Sequence, residues 1–282
     1  DVGGTSIKSA LIEVGDIKQA SSYKILRFAS ISSQSSGGRD VVVANIIKSI
    51  EQFDWQGCEL IAVATAGTVD WDSGSITYAT DTIPNYTGTE LSKLLSAHFG
   101  KRVVVINDAV GALIGEAFLG AGKKFQSVIM FTIGTGLGAS YLSGKTLDKQ
   151  TVVDTQLGHF ILHSDGRVCT CGKKGCAEQY VSATALKRYG NENLYQLFHT
   201  SDAAQKNTLN QFYKGLSQIA LKAAEIYAPS LIIVGGGVIE LSVYWWQSFL
   251  KEYKYVNSTP IAPASLGNKA AVLGSVYAMA NG

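Results

Sequence analysis

Short apolar runs alternate with stretches of helical spacing along this 282-residue chain. "SIKSALIEV" at 6–14 reads as a strand, and "SSYKILRFASI" at 21–31 as its hairpin partner. Between Asp40 and Phe53, the residues Val42, Val43, Ile46, Ile47, Ile50 and Phe53 recur at helical spacing, with Asp40 placed to cap the helix. "ELIAVATAG" and "RVVVIND" are apolar runs that stop at glycine or polar residues, the pattern of buried strands. "DAVGALIGEAFLG" predicts a helix of small residues, and "SVIMFTIGTGLGASYLSG" two strands folded around a glycine loop. Leu209, Phe212, Leu216, Ile219, Ala223 and Ile226 form the stripe of a long amphipathic helix, ended by Pro229, whose ring cannot continue it. "SLIIVGGG" is a further buried strand running into glycines. The alternation of strands with helices predicts an α/β fold. No repeat period or low-complexity linker interrupts it, and Ser33–Gly38 reads as a flexible loop.

Composition narrows the class. Hydrophobic residues at 46% and charged residues at 16% describe a folded chain, long enough for one large domain or two lobes. The net charge of +2 is nearly neutral and Lys/Arg residues never cluster beyond adjacent pairs, which argues against a nucleic-acid surface. The longest apolar runs, such as Val103–Ile106 and Leu231–Val234, are strand-sized; a bilayer helix needs roughly 20 apolar residues. There is no signal-peptide pattern. Three of the four cysteines lie within eight residues, and this usage fits a reducing, cytoplasmic compartment. The chain opens at Asp1 directly into a glycine turn that a buried strand normally delivers, so residues or a domain ahead of Asp1 are expected.

Glycine-bearing turns follow predicted strands at "DVGGT", "ATAG", "TIGTGLG" and "VGGG". Backbone can approach an oxyanion closely where side chains are absent, and its N–H groups then bind it. One such turn is weak evidence; several at strand ends favour phosphate binding. "ASYLSGKT" ends like a Walker A loop but carries Ala139 where the first glycine belongs. "GTGLGA" satisfies the dinucleotide fingerprint but is followed by a strand pattern and not a helix, so a hairpin phosphate loop fits better.

"CTCGKKGC" at 169–176 holds the crowded cysteines. A disulfide between Cys169 and Cys171 would be strained and would leave Cys176 odd. Zinc takes four tetrahedral N/S ligands, and Gly172 and Gly175 let the chain wrap around it. His159 and His163 are both available upstream as the fourth ligand. Cys58 reads as a core or loop residue. Asp108 follows Asn107 at the end of a buried strand and at the start of a helix, so it is either a helix cap or a catalytic carboxylate.

"DVGGT", Asn107-Asp108, "IGTGLG", Gly158-His159, "CTCGKKGCAEQY" and "IIVGGGV" stand in the order found in the ROK family of repressors, open reading frames and kinases, which the chain resembles over essentially its whole length. The resemblance implies a two-lobed actin-like ATPase (ribonuclease H-like) fold whose interlobe cleft encloses a sugar. The small lobe would span 1–108 with 267–282, and the large lobe, with the zinc knot, 109–266. It implies ATP and Mg²⁺ as cofactors and a structural Zn²⁺ held by His159, Cys169, Cys171 and Cys176. Asp108 would be the general base at the sugar 6-hydroxyl. Asn107, Gly67, Gln156, His159 and Glu178 would bind the sugar, the last two flanking the zinc knot. Asp1 would organise magnesium through water. Gly3, Gly4, Thr5 and Lys8 would form the first phosphate loop, Gly134, Thr135 and Gly136 the second, and Gly235, Gly236 and Gly237 the floor under adenosine.

Some positions depart from the family pattern. Gln156 stands where a glutamate is usual, Ala66 for a proline, Thr82 for a sugar-contacting asparagine, and Ala139 and Ser140 for glycines. These leave the identity of the sugar open more than the chemistry. The resemblance therefore implies an ATP-dependent, zinc-containing cytoplasmic homodimer that phosphorylates the 6-hydroxyl of a hexose or N-acylhexosamine, with glucose, N-acetylmannosamine and a β-glucoside undecided. The alternative is a sugar-sensing repressor of the same family, with a DNA-binding segment ahead of Asp1. A non-sugar actin-like ATPase is disfavoured by the zinc knot.

Overall fold

The alternation of apolar runs becomes two α/β units in the computed structural model, which describes residues 1–17, 19–148, 150–188 and 193–281. In chain order the first elements are β1 (Ser6–Val14), β2 (Tyr23–Ser32), α1 (Gly38–Glu51), β3 (Leu60–Thr65), β4 (Thr68–Val69), β5 (Ile76–Tyr78), α2 (Leu91–Phe99), β6 (Arg102–Asn107) and α3 (Asp108–Phe118). They are followed by β7 (Ser127–Ile133), β8 (Leu137–Ser143), β9 (Val152–Asp154), α4 (Ala183–Lys187), α5 (Leu194–Phe198) and α6 (Ala203–Tyr227). The chain closes with β10 (Leu231–Gly235), α7 (Ser242–Val256), β11 (Ile261–Pro263) and α8 (Ala270–Asn281).

The first unit comprises Asp1–Lys123, Thr146–Val152 and Asn268–Gly282. β1 and β2 form the antiparallel hairpin that their pattern predicts, with a register shift between Leu11 and Ile12. β3 runs parallel to β6 and pairs Thr65 with Asn107, so "ATAG" and the Asn107-Asp108 pair leave the sheet side by side. Val2 bridges Ile7 on one side and Thr65 on the other, which hangs the first glycine turn between β1 and β3. β4 and β5 form a short antiparallel ladder. Ile7, Val42, Ile46, Val63, Ile76, Tyr86, Leu95, Phe99 and Val105 pack together as the core. α1 begins before Asp40: Gly37 is its N-cap, and Asp40 lies in the first turn, where its carboxylate pairs with Arg39 Nε at 2.8 Å. The helix starts earlier than the cap reading has it, so Asp40 stands inside the first turn and not at the cap position.

α3 belongs to this unit and not, as the expected boundary after residue 108 has it, to the second. The reason is backbone contact with α8. A Cβ on Gly115 would lie 2.2 Å from the Ala270 oxygen, and one on Gly274 would lie 1.8 Å from the Gly111 oxygen. The small residues that make α3 a weak helix former let the two helices touch at their main chains.

The second unit comprises Lys124–Lys145 and Val153–Gly267. Its sheet has the order β11-β10-β7-β8-β9, with β10 parallel to both β7 and β11, and β7 antiparallel to β8. α6 buries Leu209, Phe212, Leu216, Ile219 and Ala223 in the core beside Trp245 and Phe249 of α7. Ile226 departs from the predicted stripe and is 52% exposed. Tyr227, four residues beyond Ala223, packs against the core in its place. Ala228 then turns left-handed ahead of Pro229 and ends the helix. Among the described residues, no helix is long and apolar enough to cross a membrane.

Candidate functional site

In the first unit the site grows from the paired ends of β3 and β6. Asn107 is the N-cap of α3: its side-chain oxygen accepts the Val110 N–H at 3.0 Å. Its Nδ2 donates to the Gly67 carbonyl at 2.9 Å and to Asp108 Oδ1 at 3.1 Å. That Oδ1 also accepts the Ala109 N–H at 2.9 Å. Asp108 is therefore not the cap; it is the first residue of α3, half-buried, with one oxygen held by two donors. The two donors fix that oxygen at the head of the helix. The Thr65 hydroxyl and Tyr86 hydroxyl lie 2.9 Å apart in the core. Burial, reinforced by the charge of Asp108 and opposed by the Thr65 hydrogen bond, pushes the Tyr86 hydroxyl up to about 12.

The first glycine turn lies in the same unit. Gly3 N–H donates to the Ser6 oxygen at 3.0 Å, and Lys8 N–H to the Asp1 oxygen at 2.8 Å. Lys8 Nζ stands 3.5 Å from Asp1 Oδ2. Thr5 is exposed, and Ser35 Oγ donates to the Gly4 oxygen at 2.6 Å. Thr82 packs on this turn: a Cβ on Gly4 would meet its methyl at 2.7 Å.

The second unit assembles the other residues. The loop 134–136 joins β7 to β8 as a hairpin, closed by Gly134 N–H donating to the Gly136 oxygen at 3.0 Å. Ala183 N–H donates to the Gly134 oxygen at 2.8 Å and Thr184 Oγ1 to the Thr135 oxygen at 2.7 Å, clamping the loop from α4. Glu178 Oε2 accepts the Leu137 N–H at 3.1 Å. It fills the space beside Gly136, where a Cβ would come within 2.4 Å of the same oxygen. Gly236 has φ +85°, and its Cα packs against the end of β7, where a Cβ would meet the Ile133 oxygen at 2.5 Å. The turn 235–237 therefore lies beside the loop 134–136.

His159, Cys169, Cys171 and Cys176 place their ligand atoms within 4.8 Å of one another. Cys169 Sγ is 3.7 Å from His159 Nδ1, and Cys171 Sγ is 3.6 Å from Cys176 Sγ. Bond lengths to tetrahedral zinc imply ligand separations of roughly 3.5–3.8 Å, so the donor set and its spacing fit that ion. All four cysteines are free thiols, and Cys58 donates to the Asp54 oxygen away from the cluster. His163 is not in the cluster and packs edge-on against Tyr180. Cys169 Sγ lies 3.9 Å from Glu178 Oε1, so the cluster braces the carboxylate that contacts the glycine loop.

Gln156 has a left-handed backbone (φ +53°) and is exposed. Its Nε2 donates to Asp154 Oδ2 at 2.6 Å, and its backbone carbonyl accepts the His159 N–H at 2.9 Å. Burial pushes the Asp154 carboxyl up, opposed by the hydrogen bonds from Gln156 and by nearby His159.

The expected residues thus form two groups. Asp1, Lys8, the turn 3–5, Gly67, Asn107 and Asp108 lie in the first unit; the turns 134–136 and 235–237, Gln156, His159, Glu178 and the cysteines lie in the second. Sequence patterns missed Thr65 and Tyr86 behind Asp108, Ala183 and Thr184 on the glycine loop, and Asp154. Only Asp154 carried a signal, as a carboxylate two residues before an unusual glutamine.

The comparisons with known proteins follow the same outline. The glucokinase of Streptomyces coelicolor is 30% identical over 98% of this chain and 94% of its own length. The glucokinase of Thermotoga maritima is 24% identical over 97% of this chain and 95% of its own length. A solved ROK family glucokinase from Streptomyces griseus, in complex with glucose and AMPPNP, matches with a TM-score of 0.80 at 24% identity, covering 97% of this chain and 96% of that one. Its likeness assigns the actin-like ATPase fold of two α/β lobes. The ROK family model matches residues 1–281. By that match, and by motifs that the fold sets at its turns and thiol cluster, this chain belongs to the ROK family.

Proposed function

We propose that this protein is an ATP-dependent sugar kinase that phosphorylates the 6-hydroxyl of a hexose or N-acylhexosamine. The observation that carries the reading is Asp108, a half-buried carboxylate at the head of α3 with Oδ1 held by the Ala109 N–H and the Asn107 amide. A carboxylate oriented in this way is fitted to take the proton that a hydroxyl sheds as it attacks a phosphoryl group. Family membership and the names of the relatives, which are glucokinases, support the same chemistry.

In this reading Asn107, Gly67, Gln156, His159 and Glu178 bind sugar hydroxyls. The turns at 3–5 and 134–136 offer backbone N–H groups to phosphates, and 235–237 receives adenosine. Asp1, with Lys8 Nζ 3.5 Å from its carboxylate, would help to hold Mg²⁺, which would neutralise charge on the phosphates. Zn²⁺ on His159 and the three cysteines is structural, since four protein ligands leave no open position. The protein acts as a cytoplasmic homodimer.

A coupled ADP-release screen over glucose, N-acetylmannosamine, other hexoses and β-glucosides tests the reading. Sugar-dependent ADP release with a 6-phosphate product is expected. Sugar binding without any ADP release would overturn it in favour of a sugar-sensing protein.

A further inference from the structure

Gln156 is one of the four non-glycine residues with positive φ among the described residues. A side chain held in that backbone region is a place to look for function. The strain is maintained by a closed set of hydrogen bonds. Asp154 Oδ2 accepts from Gln156 Nε2 at 2.6 Å, and Oδ1 lies 3.3 Å from the Gln156 backbone nitrogen. Thr155 on the intervening position is tied twice to the Ala139 oxygen, by its N–H at 2.9 Å and its hydroxyl at 2.8 Å. The Gln156 backbone carbonyl then accepts the N–H of His159, a member of the thiol cluster. Asp154 is half-buried whereas Gln156 is exposed and lines an open concavity with His159, Phe160 and Lys173.

An amide presents an oxygen and a nitrogen of nearly equal shape, and which one faces outward depends on its partners. Here an acceptor-only carboxylate draws the nitrogen to itself, which fixes the side-chain oxygen on the other side. We propose that Asp154 is a positioning residue that turns the Gln156 side-chain oxygen toward the sugar, so that Gln156 accepts a hydrogen bond from a sugar hydroxyl. This rests on the kinase reading and on Gln156 facing the sugar. The pair keeps an acceptor at the exposed residue 156 and sets the carboxylate two residues earlier, where it is half-buried. A glutamate at 156 in this setting would face Asp154 as a like charge at hydrogen-bonding distance.

The test is steady-state kinetics on the full zinc-loaded chain with its best sugar, comparing the parent with Asp154→Ala, Gln156→Glu and the exchanged pair Asp154→Asn/Gln156→Glu. Zinc content and melting temperature are measured alongside. Asp154→Ala is expected to raise the sugar KM about tenfold, the loss of one oriented hydrogen bond, with kcat and the ATP KM within about twofold. Gln156→Glu should raise the sugar KM likewise, and the exchanged pair should restore it to within about threefold, because amide and carboxylate have traded places. An Asp154→Ala variant with unchanged sugar KM, or one that loses kcat, zinc and melting temperature together, would overturn the proposal. So would an exchanged pair no better than Gln156→Glu alone. A parent chain that turns over no sugar overturns the kinase reading and this proposal with it; an active parent with an unmoved KM overturns this proposal alone.

Discussion

Asn107 donates its side-chain amide to Asp108 Oδ1 at 3.1 Å while its own oxygen receives the Val110 N–H at 3.0 Å. One residue therefore closes the end of α3 and orients the carboxylate next to it. The helix cap, which spacing alone leaves open for Asp108, falls to Asn107, and the proposed base is left free of that role.

This division makes Asp108→Asn a clean test. The cap stays with Asn107, so the melting temperature should move by only a few degrees, and zinc and ATP binding should persist. What is lost is the acceptor for the 6-hydroxyl proton, and kcat should fall by about 10²–10⁴. Turnover within a few-fold of the parent would remove Asp108 as the base. By contrast Asn107→Ala removes the cap and the tie to Gly67, and should cost about 1 kcal/mol in urea unfolding as well as activity.

The thiol cluster should hold about one zinc per chain, as its donor set requires. Cys171→Ser is expected to lower both zinc content and melting temperature, because binding to the folded cluster contributes directly to stability. Sugar affinity should weaken as well, since Cys169 stands 3.9 Å from Glu178 and Glu178 holds the Leu137 N–H. Metal analysis of fresh protein prepared without chelator decides it; the absence of zinc would refute this assignment.

The α3–α8 contact predicts a sharp size limit. A methyl on Gly274 would lie 1.8 Å from the Gly111 oxygen, and only main-chain displacement could relieve it. Gly274→Ala should destabilise the protein by about 3 kcal/mol or more in urea unfolding. Gly57→Ala is the control, because its Cβ meets nothing within 4 Å; its effect should stay within about 0.5 kcal/mol. Equal losses in the two variants would contradict close helix contact.

Tyr86 predicts an alkaline limb of the stability curve. Burial raises its hydroxyl from 10.0 to about 12 in the folded state. The unfolded chain therefore releases this proton first as pH rises. Stability from Tyr86 is fully present below pH 10 and is lost between 10 and about 12, a total of about 3 kcal/mol. Tyr213 and Tyr253, also raised to about 12 by burial, act in the same window. Melting temperature followed from pH 9 to 12 should fall, and Tyr86→Phe should lessen the slope; an identical slope would refute the assignment.

Much of the architecture was legible in order and spacing. The hairpin 6–32, the buried strands β3 and β6, the β7–β8 hairpin and most of the α6 stripe follow from local periodicity, because residues near in sequence decide whether a segment can bury one face. The cysteine spacing pointed to a metal for a similar reason: few chain paths bring CxC and a following cysteine to one point other than a knot. The tertiary structure alone decided that Asn107 and not Asp108 caps α3 and that α3 packs on α8, and it sets His159 beside the thiols, a choice over His163 that spacing left open and only the family resemblance implied. It also decided that the amide of Gln156 donates to Asp154. These outcomes depend on tenths of an ångström between groups that the backbone brings together, often from distant parts of the chain. Hydrogen-bond reach and steric exclusion change over such distances, whereas periodicity records only which face of an element is apolar.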